Sequence, residues 1–140
     1  MPEPEISEAG DIVTKTSPYS VAETVTRFTR AITSGGLTLF GVIDQAAEAR
    51  RHGLDLRDTV LVLFGDPRSG TPLMQAAPLA ALDLPLKVVI WDDASETRIT
   101  YLAPMALGAR YHLDPSLLTA LTGIHRLTDS IATTPSRATE

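Results

Sequence analysis

The 140-residue chain contains no cysteine. This absence excludes disulfides, zinc–thiolate sites, thiol nucleophiles and haem attached through a Cys-x-x-Cys-His motif. The histidines, His52, His112 and His125, are also few and far apart. They lack the spacings His-x-x-x-His and His-Glu-x-x-His that mark metal sites. We therefore expect no metal site and predict no cofactor, although a single histidine could in principle ligate a non-covalent haem.

A cationic surface is absent as well. The chain has 12 Lys and Arg against 17 Asp and Glu, a net charge of −5, and its basic residues are scattered. Because nucleic-acid binding needs clustered positive charge, we expect no nucleic-acid partner. No apolar run reaches the length of a membrane span, and the acidic N-terminus lacks the features of a signal peptide. We therefore expect a soluble cytoplasmic protein without a membrane partner.

The size and composition suit one compact domain. A chain of 140 residues with 44% hydrophobic residues can bury a sizeable core without disulfides. The polar ends, 1–10 and 133–140, are typical of flexible segments. The sequence thus predicts a single domain over residues 11–132.

Five segments have the patterns of β-strands. They are IVTKT at 12–16, LTLFGVI at 37–43, TVLVLF at 59–64, LKVVIW at 86–91 and TRITYL at 97–102. TVLVLF is apolar throughout, which predicts a strand covered on both faces. The polar DDASE before the last strand predicts a hairpin.

Two long helices are predicted near the ends of the domain. Ser20 and Glu23 form a capping-box pattern before apolar residues at helical spacing, and Gly35-Gly36 ends that helix. Asp114-Pro115 begins the last helix. Shorter helices are predicted after Asp44, from Thr71-Pro72 onward, and over Ala103–His112. This arrangement favours an α+β fold with a curved, largely antiparallel sheet of about five strands packed against two long helices.

The segment GDPRSGTPLMQ, 65–75, is the most distinctive in the chain. Gly65 and Gly70 would permit a tight turn, and Thr71-Pro72 suits the N-cap and first position of a helix. The N–H groups of such a helix would face an anion, with Arg68 as a mobile positive charge. The alternative is a turn whose Arg68 is solvated. The segment lacks the lysine of a phosphate-binding P-loop.

Asp66, Asp83 and Lys87 form a second candidate group. Lys87 stands within a very apolar strand, where an ammonium needs a carboxylate partner or an altered pKa. An Asp66–Lys87 or Asp83–Lys87 pair would supply that partner. A catalytic lysine is the sharper alternative. Trp91, at the end of the same strand, is expected to complete the core.

Several phrases together resemble domain-of-unknown-function family 302. They are GDPRSGTPLMQ, then DLPLK, then WDD and YLAPMALGARYHL, within a stretch from about residue 21 to 113. The resemblance implies a TATA-box-binding-protein-like (TT1751-like) α+β fold and a homodimer. It implies no activity, because none is established for the family, and a shared fold does not carry function.

Three functional hypotheses remain open from the sequence. The first is non-enzymatic binding or sensing of a small anionic ligand near Gly65–Gln75, with Asp44 as a possible neighbour. The candidate ligand-binding residues are Asp66, Arg68, Ser69, Gly70, Thr71, Gln75, Asp83 and Lys87. The second is an enzyme acting on a small anionic substrate, with Lys87 or Asp66 as the acid–base group. The third is a structural or interaction protein whose main surface is the dimer interface.

Overall fold

A computed structural model describes residues 5–6 and 11–132 of the chain. The domain predicted over 11–132 therefore lies within the described part. The flexible segments predicted at 1–10 and 133–140 lie outside it, apart from residues 5 and 6.

A six-stranded antiparallel sheet forms the centre of the molecule. Its strands are β1 (Glu5–Ile6), β2 (Ile12–Ser17), β3 (Thr38–Asp44), β4 (Thr59–Gly65), β5 (Leu86–Asp93) and β6 (Glu96–Leu102). Their spatial order is β1-β2-β6-β5-β4-β3. The five longer strands coincide with the five predicted ones. The hairpin between β5 and β6 is also confirmed, and its turn residues Ala94 and Ser95 have positive φ.

Six helices accompany the sheet. They are α1 (Val21–Ser34), α2 (Gln45–Arg51), α3 (Pro67–Ala76), α4 (Pro104–Tyr111), α5 (Pro115–Leu118) and α6 (Gly123–Asp129). Ser20 caps α1 by accepting a hydrogen bond from the Glu23 N–H. The Glu23 carboxylate accepts from Arg27 and so forms an i,i+4 pair on the helix surface. Asp44 caps α2, as the sequence predicts.

The main core lies between one face of the sheet, its inner face, and the helices α1 and α6. Val62, Val88, Ile90 and Ile99 alternate inward from the strands and are fully buried, as are Phe28 and Ile32 of α1. The Phe28 and Phe64 rings meet edge to face with centroids 5.3 Å apart, a favourable aromatic geometry. The α+β fold predicted from the sequence is thereby confirmed.

The opposite, outer face of the sheet is only half-buried. Leu61, Leu63 and Val89 alternate with the core positions of β4 and β5 but stay partly exposed. The expectation that β4 is covered on both faces was therefore wrong. Trp91 also lies outside the core clusters, and its Nε1–H donates to Thr100 Oγ1 at 2.9 Å. One exposed face is common in antiparallel sheets.

The predicted long C-terminal helix is divided into α5, a 3-10 turn (Thr119–Leu121) and α6. The hydroxyls of Thr119 and Thr122 donate to backbone carbonyls one turn earlier, and Gly123 follows directly. Such local bonds and a glycine both weaken a continuous helix. A second apolar cluster packs beside these segments, formed by Leu73, Ala80, Leu107 and Leu121.

Candidate functional site

The distinctive segment 65–75 forms the start of α3, and its cap is Asp66. The Asp66 backbone is extended, its carboxylate accepts from the Arg68 N–H, and Pro67 takes the first helical position. Thr71 and Pro72 lie inside the helix. The prediction that Thr71 caps the helix was therefore wrong. Asp66-Pro67 and Thr71-Pro72 carry the same N-cap signal, and the chain uses the earlier one.

The N–H groups at this helix end are satisfied by Asp66 itself. The Arg68 N–H donates to Asp66 Oδ1 at 3.0 Å. The N–H groups of Ser69 and Gly70 donate to the Asp66 carbonyl at 2.9 and 2.8 Å. Pro67 has no N–H to offer. An anion at this helix end would thus meet a carboxylate and no free donor, so the geometry does not support the anion-binding role predicted for these groups.

The turn role predicted for Gly65 and Gly70 was also wrong. Among the glycines of the described chain, positive φ occurs at Gly36 and Gly53. Gly70 lies within α3, and a Cβ placed on it would meet no atom within 4 Å. The backbone therefore does not require glycine at position 70, and the missing side chain leaves open space beside the helix.

Arg68 lies at the surface, where its Nη2 donates to the Gly36 carbonyl at 3.5 Å. Its side chain is 78% exposed, and its Nε donates to Asp66 Oδ1 at 3.0 Å. The hydrogen bond from the Arg68 guanidinium, and then the one from the Arg68 backbone N–H, lower the pKa of Asp66. Asp66 is therefore an ionised cap and is poorly suited to serve as a general acid.

A cleft lies beside the start of α3, between this helix and the segment around Leu121. One half has a volume of about 350 Å³. Its walls are mainly apolar, with Ser69, Thr71 and Asp66 as the polar lining residues. The apolar and glycine lining is Phe40, Gly65, Pro67, Gly70, Met74, Leu84, Pro85, Leu86, Ala120 and Leu121.

A second half of about 340 Å³ continues the cleft toward α6. The two halves share six lining residues, namely Gly65, Asp66, Ser69, Leu86, Ala120 and Leu121. The α6 side adds Ile124, Leu127, Ser130 and Arg126. The whole cleft is thus apolar along its length, with Asp66 and Arg126 as the charged residues of its lining.

Asp83 forms its own cluster away from this cleft. Its Oδ2 accepts from the Tyr111 hydroxyl at 2.5 Å and from Arg110 Nη1 at 2.8 Å. The hydrogen bond from Tyr111, followed by that from Arg110, lowers the pKa of Asp83 against the opposing effect of partial burial. The same hydrogen bond raises the pKa of Tyr111. The cluster ties α4 to the 3-10 turn Pro78–Asp83.

Lys87 forms an ion pair with neither predicted carboxylate. Its Nζ donates to the backbone carbonyls of Asp83 and Pro85, each at 3.4 Å. Asp83 and Lys87 line a separate depression of about 250 Å³ that includes the outer-face residues Leu61, Val89 and Thr100. The predicted Asp66–Lys87 and Asp83–Lys87 pairs were wrong because Arg68, Arg110 and Tyr111 are the nearer partners of these carboxylates.

The predicted site residues therefore fall into three groups. Asp66, Ser69, Gly70 and Thr71 line the cleft. Asp83 and Lys87 line the separate depression. The remaining two predicted residues, Arg68 and Gln75, are exposed and belong to the lining of neither, while Asp44 serves as the cap of α2.

Sequence reasoning missed a buried lysine on β2. Lys15 alternates inward with Val13 and Ser17, and its side chain is 5% exposed. Its Nζ lies 2.7 Å from Asp129 Oδ1 and 2.7 Å from Thr128 Oγ1. The alternation of IVTKT already placed Lys15 on the same face as Val13, and that signal could have identified it.

His125 of α6 adjoins this lysine. Its Nδ1 lies 2.6 Å from the Tyr101 hydroxyl, and Lys15 Nζ lies 5.3 Å from the centre of the Tyr101 ring. Partial burial, and then the Lys15 charge, lower the pKa of His125, whereas Asp129 raises it. The arrangement connects β2, β6 and α6.

Two kinds of feature are absent from the described residues. Those residues contain no group of three or more His, Cys, Asp or Glu side chains placed to hold a metal ion. They also include no helix that is both long and apolar enough to cross a membrane. The predicted cytoplasmic location is not tested by these observations.

The comparison with protein families agrees with the fold and with the phrases around GDPRSGTPLMQ. The model for "Domain of unknown function DUF302" matches residues 13–131. The chain belongs to the DUF302 family. The resemblance noted in the sequence is thereby confirmed, and it specifies no activity.

Curated relatives of this DUF302 domain come from three Brucella species. The Brucella suis protein "Fluoride-specific ion channel FluC 1" is 39% identical over 103 residues, which cover 73% of this chain and 41% of that protein. Proteins of Brucella abortus and Brucella melitensis, named FluC 1 and FluC 2, match at the same identity over 38% of their length. The DUF302 chain thus spans about two fifths of these relatives.

A solved structure shares the fold. It is the crystal structure of an uncharacterized conserved DUF302 protein from Bacillus stearothermophilus, with a TM-score of 0.73 and 20% identity. The match covers 86% of this chain and 94% of that one. At this identity the likeness concerns the fold alone.

Proposed function

We propose that this DUF302 domain is a non-enzymatic binding or sensing domain for a small molecule, which it holds in the cleft beside α3. The observation that supports the proposal most is the cleft itself. Each half has the volume of an ordinary small-molecule site, and the lining is mainly apolar with a few polar groups. The proposal keeps the predicted ligand-binding role of segment 65–75 but moves it from the helix N–H groups to the side of the helix.

Gly70 gives this proposal a specific geometric basis. It lines the cleft, its φ is not positive, and added side-chain atoms would enter open space. Glycine in a helix interior lowers stability relative to alanine by about 1 kcal/mol. The backbone at Gly70 does not require glycine, and alanine would be more stable there. A ligand that occupies the open space beside Gly70 would explain why the position has no side chain.

The relatives give the proposal a context. Their names describe fluoride-specific ion channels, whereas the matched region is about two fifths of each protein. The described residues of the present chain contain no helix able to cross a membrane. We infer that the matched region is an added domain in those proteins, which suits a sensing or accessory role better than a role in ion conduction.

The enzymatic alternative has less support from the geometry. Asp66 is committed to capping α3 and to Arg68, and its lowered pKa keeps it ionised. Lys87 lies in a different depression and donates to two backbone carbonyls. The two residues therefore do not share a site, and we propose no reaction.

Ligand binding can be tested with the neutral fluorescent probe N-phenyl-1-naphthylamine. We expect the wild-type protein to enhance its fluorescence and Gly70→Leu to weaken binding at least roughly tenfold, because the leucine fills the cleft. Ala76→Leu is the matched control, since Ala76 is exposed on the same helix and is not part of the lining. Thermal unfolding of each variant checks that it is folded.

A second variant makes the test independent of Gly70. Phe40 lines the cleft and is 54% exposed, so Phe40→Ala removes apolar wall at little cost to the fold. We expect it to weaken probe binding as well. Unchanged binding in both Gly70→Leu and Phe40→Ala would show that the cleft is not the binding site. Native mass spectrometry of the purified protein would reveal any ligand that co-purifies.

We also propose that the domain forms a homodimer through the outer face of its sheet. This face presents half-buried Leu61, Leu63 and Val89, together with Ile43, which is 40% exposed. An apolar sheet face of this kind is stabilised when a second copy covers it. The same native mass spectrum reports the oligomeric state, and Leu61→Lys with Leu63→Lys should yield monomers. A wild-type monomer at micromolar concentration would contradict this proposal.

A further inference from the structure

The cleft has chemically different ends. The half near Phe40 and Met74 is apolar, and its acidic residue, Asp66, is already paired with Arg68. The half near α6 contains Arg126. A ligand that fits both halves must combine an apolar body with a group that suits a guanidinium.

Arg126 is well placed to receive such a group. It lies in the last turn of α6 and is exposed. Within the part of the chain that the structure describes, Arg126 forms no ion pair, as is also true of Arg30, Arg50 and Arg57, but of these four arginines Arg126 is the one in the cleft lining. A guanidinium without an acidic partner at the wall of a cleft favours a ligand carboxylate, which it can bind through two parallel hydrogen bonds.

The position of Asp66 determines which way the ligand lies. Asp66 lines both halves near their junction, and its carboxylate is ionised. An anionic group placed there would be repelled. The ligand anion is therefore favoured at the α6 end, and the apolar body extends past Ser69 toward Gly70, Met74 and Phe40.

We propose that the ligand is a free amphiphilic carboxylic acid, with its carboxylate on Arg126 and its apolar chain in the half of the cleft beside α3. This inference rests on the proposed function, because it specifies what the same cleft binds. It retains an anionic ligand, as the sequence suggested, but replaces Arg68 and the helix N-terminus with Arg126. It commits to a monomeric acid in solution, not to the head group of a membrane lipid.

The test compares two probes of equal chain length, decanoate and decanol. Each is titrated against the protein loaded with N-phenyl-1-naphthylamine, and displacement gives its affinity. We expect decanoate to bind wild type roughly tenfold more tightly than decanol, the effect of one charge-assisted contact. Arg126→Gln should remove this difference, because it weakens decanoate binding more than the binding of decanol or the neutral probe. Arg30→Gln is the control, because Arg30 is an exposed arginine of α1 outside the cleft lining.

The outcomes separate the two proposals. Failure of the neutral probe to bind, or binding that is unchanged in both Gly70→Leu and Phe40→Ala, overturns the proposed function itself. Normal probe binding combined with equal affinities for decanoate and decanol overturns the carboxylic-acid inference alone. A decanoate preference that survives Arg126→Gln overturns the assignment of Arg126. If Arg126→Gln alters folding, Arg126→Lys supplies the second variant: it keeps the charge, and we expect it to retain part of the preference.

Discussion

The ammonium of Lys15 lies 2.7 Å from the carboxylate of Asp129 and joins the second strand to the last helix. The same nitrogen donates to Thr128 Oγ1 at 2.7 Å and to the His125 carbonyl at 3.1 Å. All three ammonium hydrogens thus have acceptors on α6. Because α6 also supplies Arg126 to the cleft, Lys15 fixes the wall on which the proposed carboxylate contact depends.

Replacing Lys15 with methionine should increase local opening of α6 but lower the free energy of global unfolding only a little. Methionine keeps an apolar stem of similar length at this buried position. The Asp129 side chain is 65% exposed and returns to water, and Thr128 keeps the Ile124 carbonyl as acceptor. We expect a loss below about 2 kcal/mol in unfolding free energy, since a buried ion pair contributes little over an apolar isostere. Hydrogen exchange of the α6 amides should accelerate.

Lys15→Ala is the matched comparison. It removes the packed stem as well as the charge and leaves a cavity, so its cost should reach about 2–4 kcal/mol. If urea unfolding gave the same loss of unfolding free energy for Lys15→Met and Lys15→Ala, the charge of Lys15, and not its apolar stem, would provide the stabilisation. Unchanged α6 exchange in Lys15→Met would show that the lysine does not hold the helix.

His125 should make stability decline in mildly acidic solution. Its pKa is lowered in the folded protein relative to the ordinary value of 6.5, so the unfolded chain binds the proton more readily. The contribution of neutral His125 to the free energy of unfolding is therefore fully present above about pH 6.5, and it is lost as the pH falls through the pKa of the folded state. The Lys15 charge lowers the pKa of the ring and the Asp129 charge raises it, and Tyr101 is the hydrogen-bond partner of the ring.

The measurement is urea unfolding between pH 7.5 and 5.5. His125→Asn removes the titration while keeping an acceptor near the Tyr101 hydroxyl, and we expect it to flatten the pH dependence in this range. The carboxylates with lowered pKa, Asp66, Asp83 and Asp114, lose their contribution at more acidic pH, below their ordinary value of 3.8. If the free energy of unfolding depended on pH equally in wild type and His125→Asn, His125 would not be the group responsible.

The parts of the fold that depend on short sequence patterns were predicted correctly. Alternation and apolar runs located the five long strands, and Ser20 and Asp44 marked two helix starts, because these signals depend on neighbouring residues only. The C-terminal helix was predicted as one piece because Leu117, Leu121 and Ile124 keep helical spacing. Its division depends on hydroxyl-to-carbonyl bonds of Thr119 and Thr122, which a spacing pattern does not reveal.

The candidate site followed from the sequence only in part. The segment 65–75 does line the cleft, but whether Asp66 or Thr71 caps α3 could not be decided from two equivalent Asp-Pro and Thr-Pro pairs. The partners of Asp83 lie 27 and 28 residues away in sequence, at Arg110 and Tyr111. Arg126 reaches the cleft lining only because α6, which packs against α1, lies across the cleft from Asp66 and Ser69. Such long-range contacts come from tertiary packing and leave no periodic signal.

Removing the Tyr111 hydroxyl should raise the pKa of Asp83. The hydrogen bond from Tyr111 is the largest cause of the lowered pKa, and Tyr111→Phe removes it while Arg110 remains. Carboxyl-carbon NMR titration of Asp83 measures the change directly. The stability that depends on this carboxylate is present above its unfolded pKa and is lost as pH falls through the folded pKa, so the variant should lose it at a higher pH. An unchanged Asp83 titration would contradict the role of Tyr111.

Asp66→Ala should destabilise α3, whereas Asp66→Asn should not do so to the same extent. Asparagine is as good an N-cap as aspartate and can accept from the Arg68 N–H, but it cannot pair with the Arg68 charge. Thermal unfolding and hydrogen exchange of the α3 amides distinguish the cap from the ion pair. If Asp66→Asn lowered stability as much as Asp66→Ala, the ion pair with Arg68 would stabilise α3 more than the cap does. That result would contradict the expectation that exposed ion pairs are weak.

Gly70→Ala should stabilise the protein, whereas Gly108→Ala should give no gain in stability or a loss. Both glycines lie in helices, where alanine is favoured by about 1 kcal/mol. At Gly70 nothing lies within 4 Å of the added Cβ, so we expect a gain of about that size. At Gly108 the Cβ would lie 3.1 and 3.2 Å from Leu118 Cδ1 and Cδ2, in a buried contact between α4 and α5. The crowding there should offset or exceed the helix gain.

A double-mutant cycle identifies the cause of the loss at Gly108. Leu118→Val withdraws the crowding methyl groups, so Gly108→Ala should be less harmful, or favourable, in that background, with a coupling of about 1 kcal/mol. Urea unfolding of the four proteins gives the cycle. If Gly108→Ala stabilises the wild-type background as much as Gly70→Ala does, then Leu118 gives way without cost, and the α4–α5 contact does not need glycine.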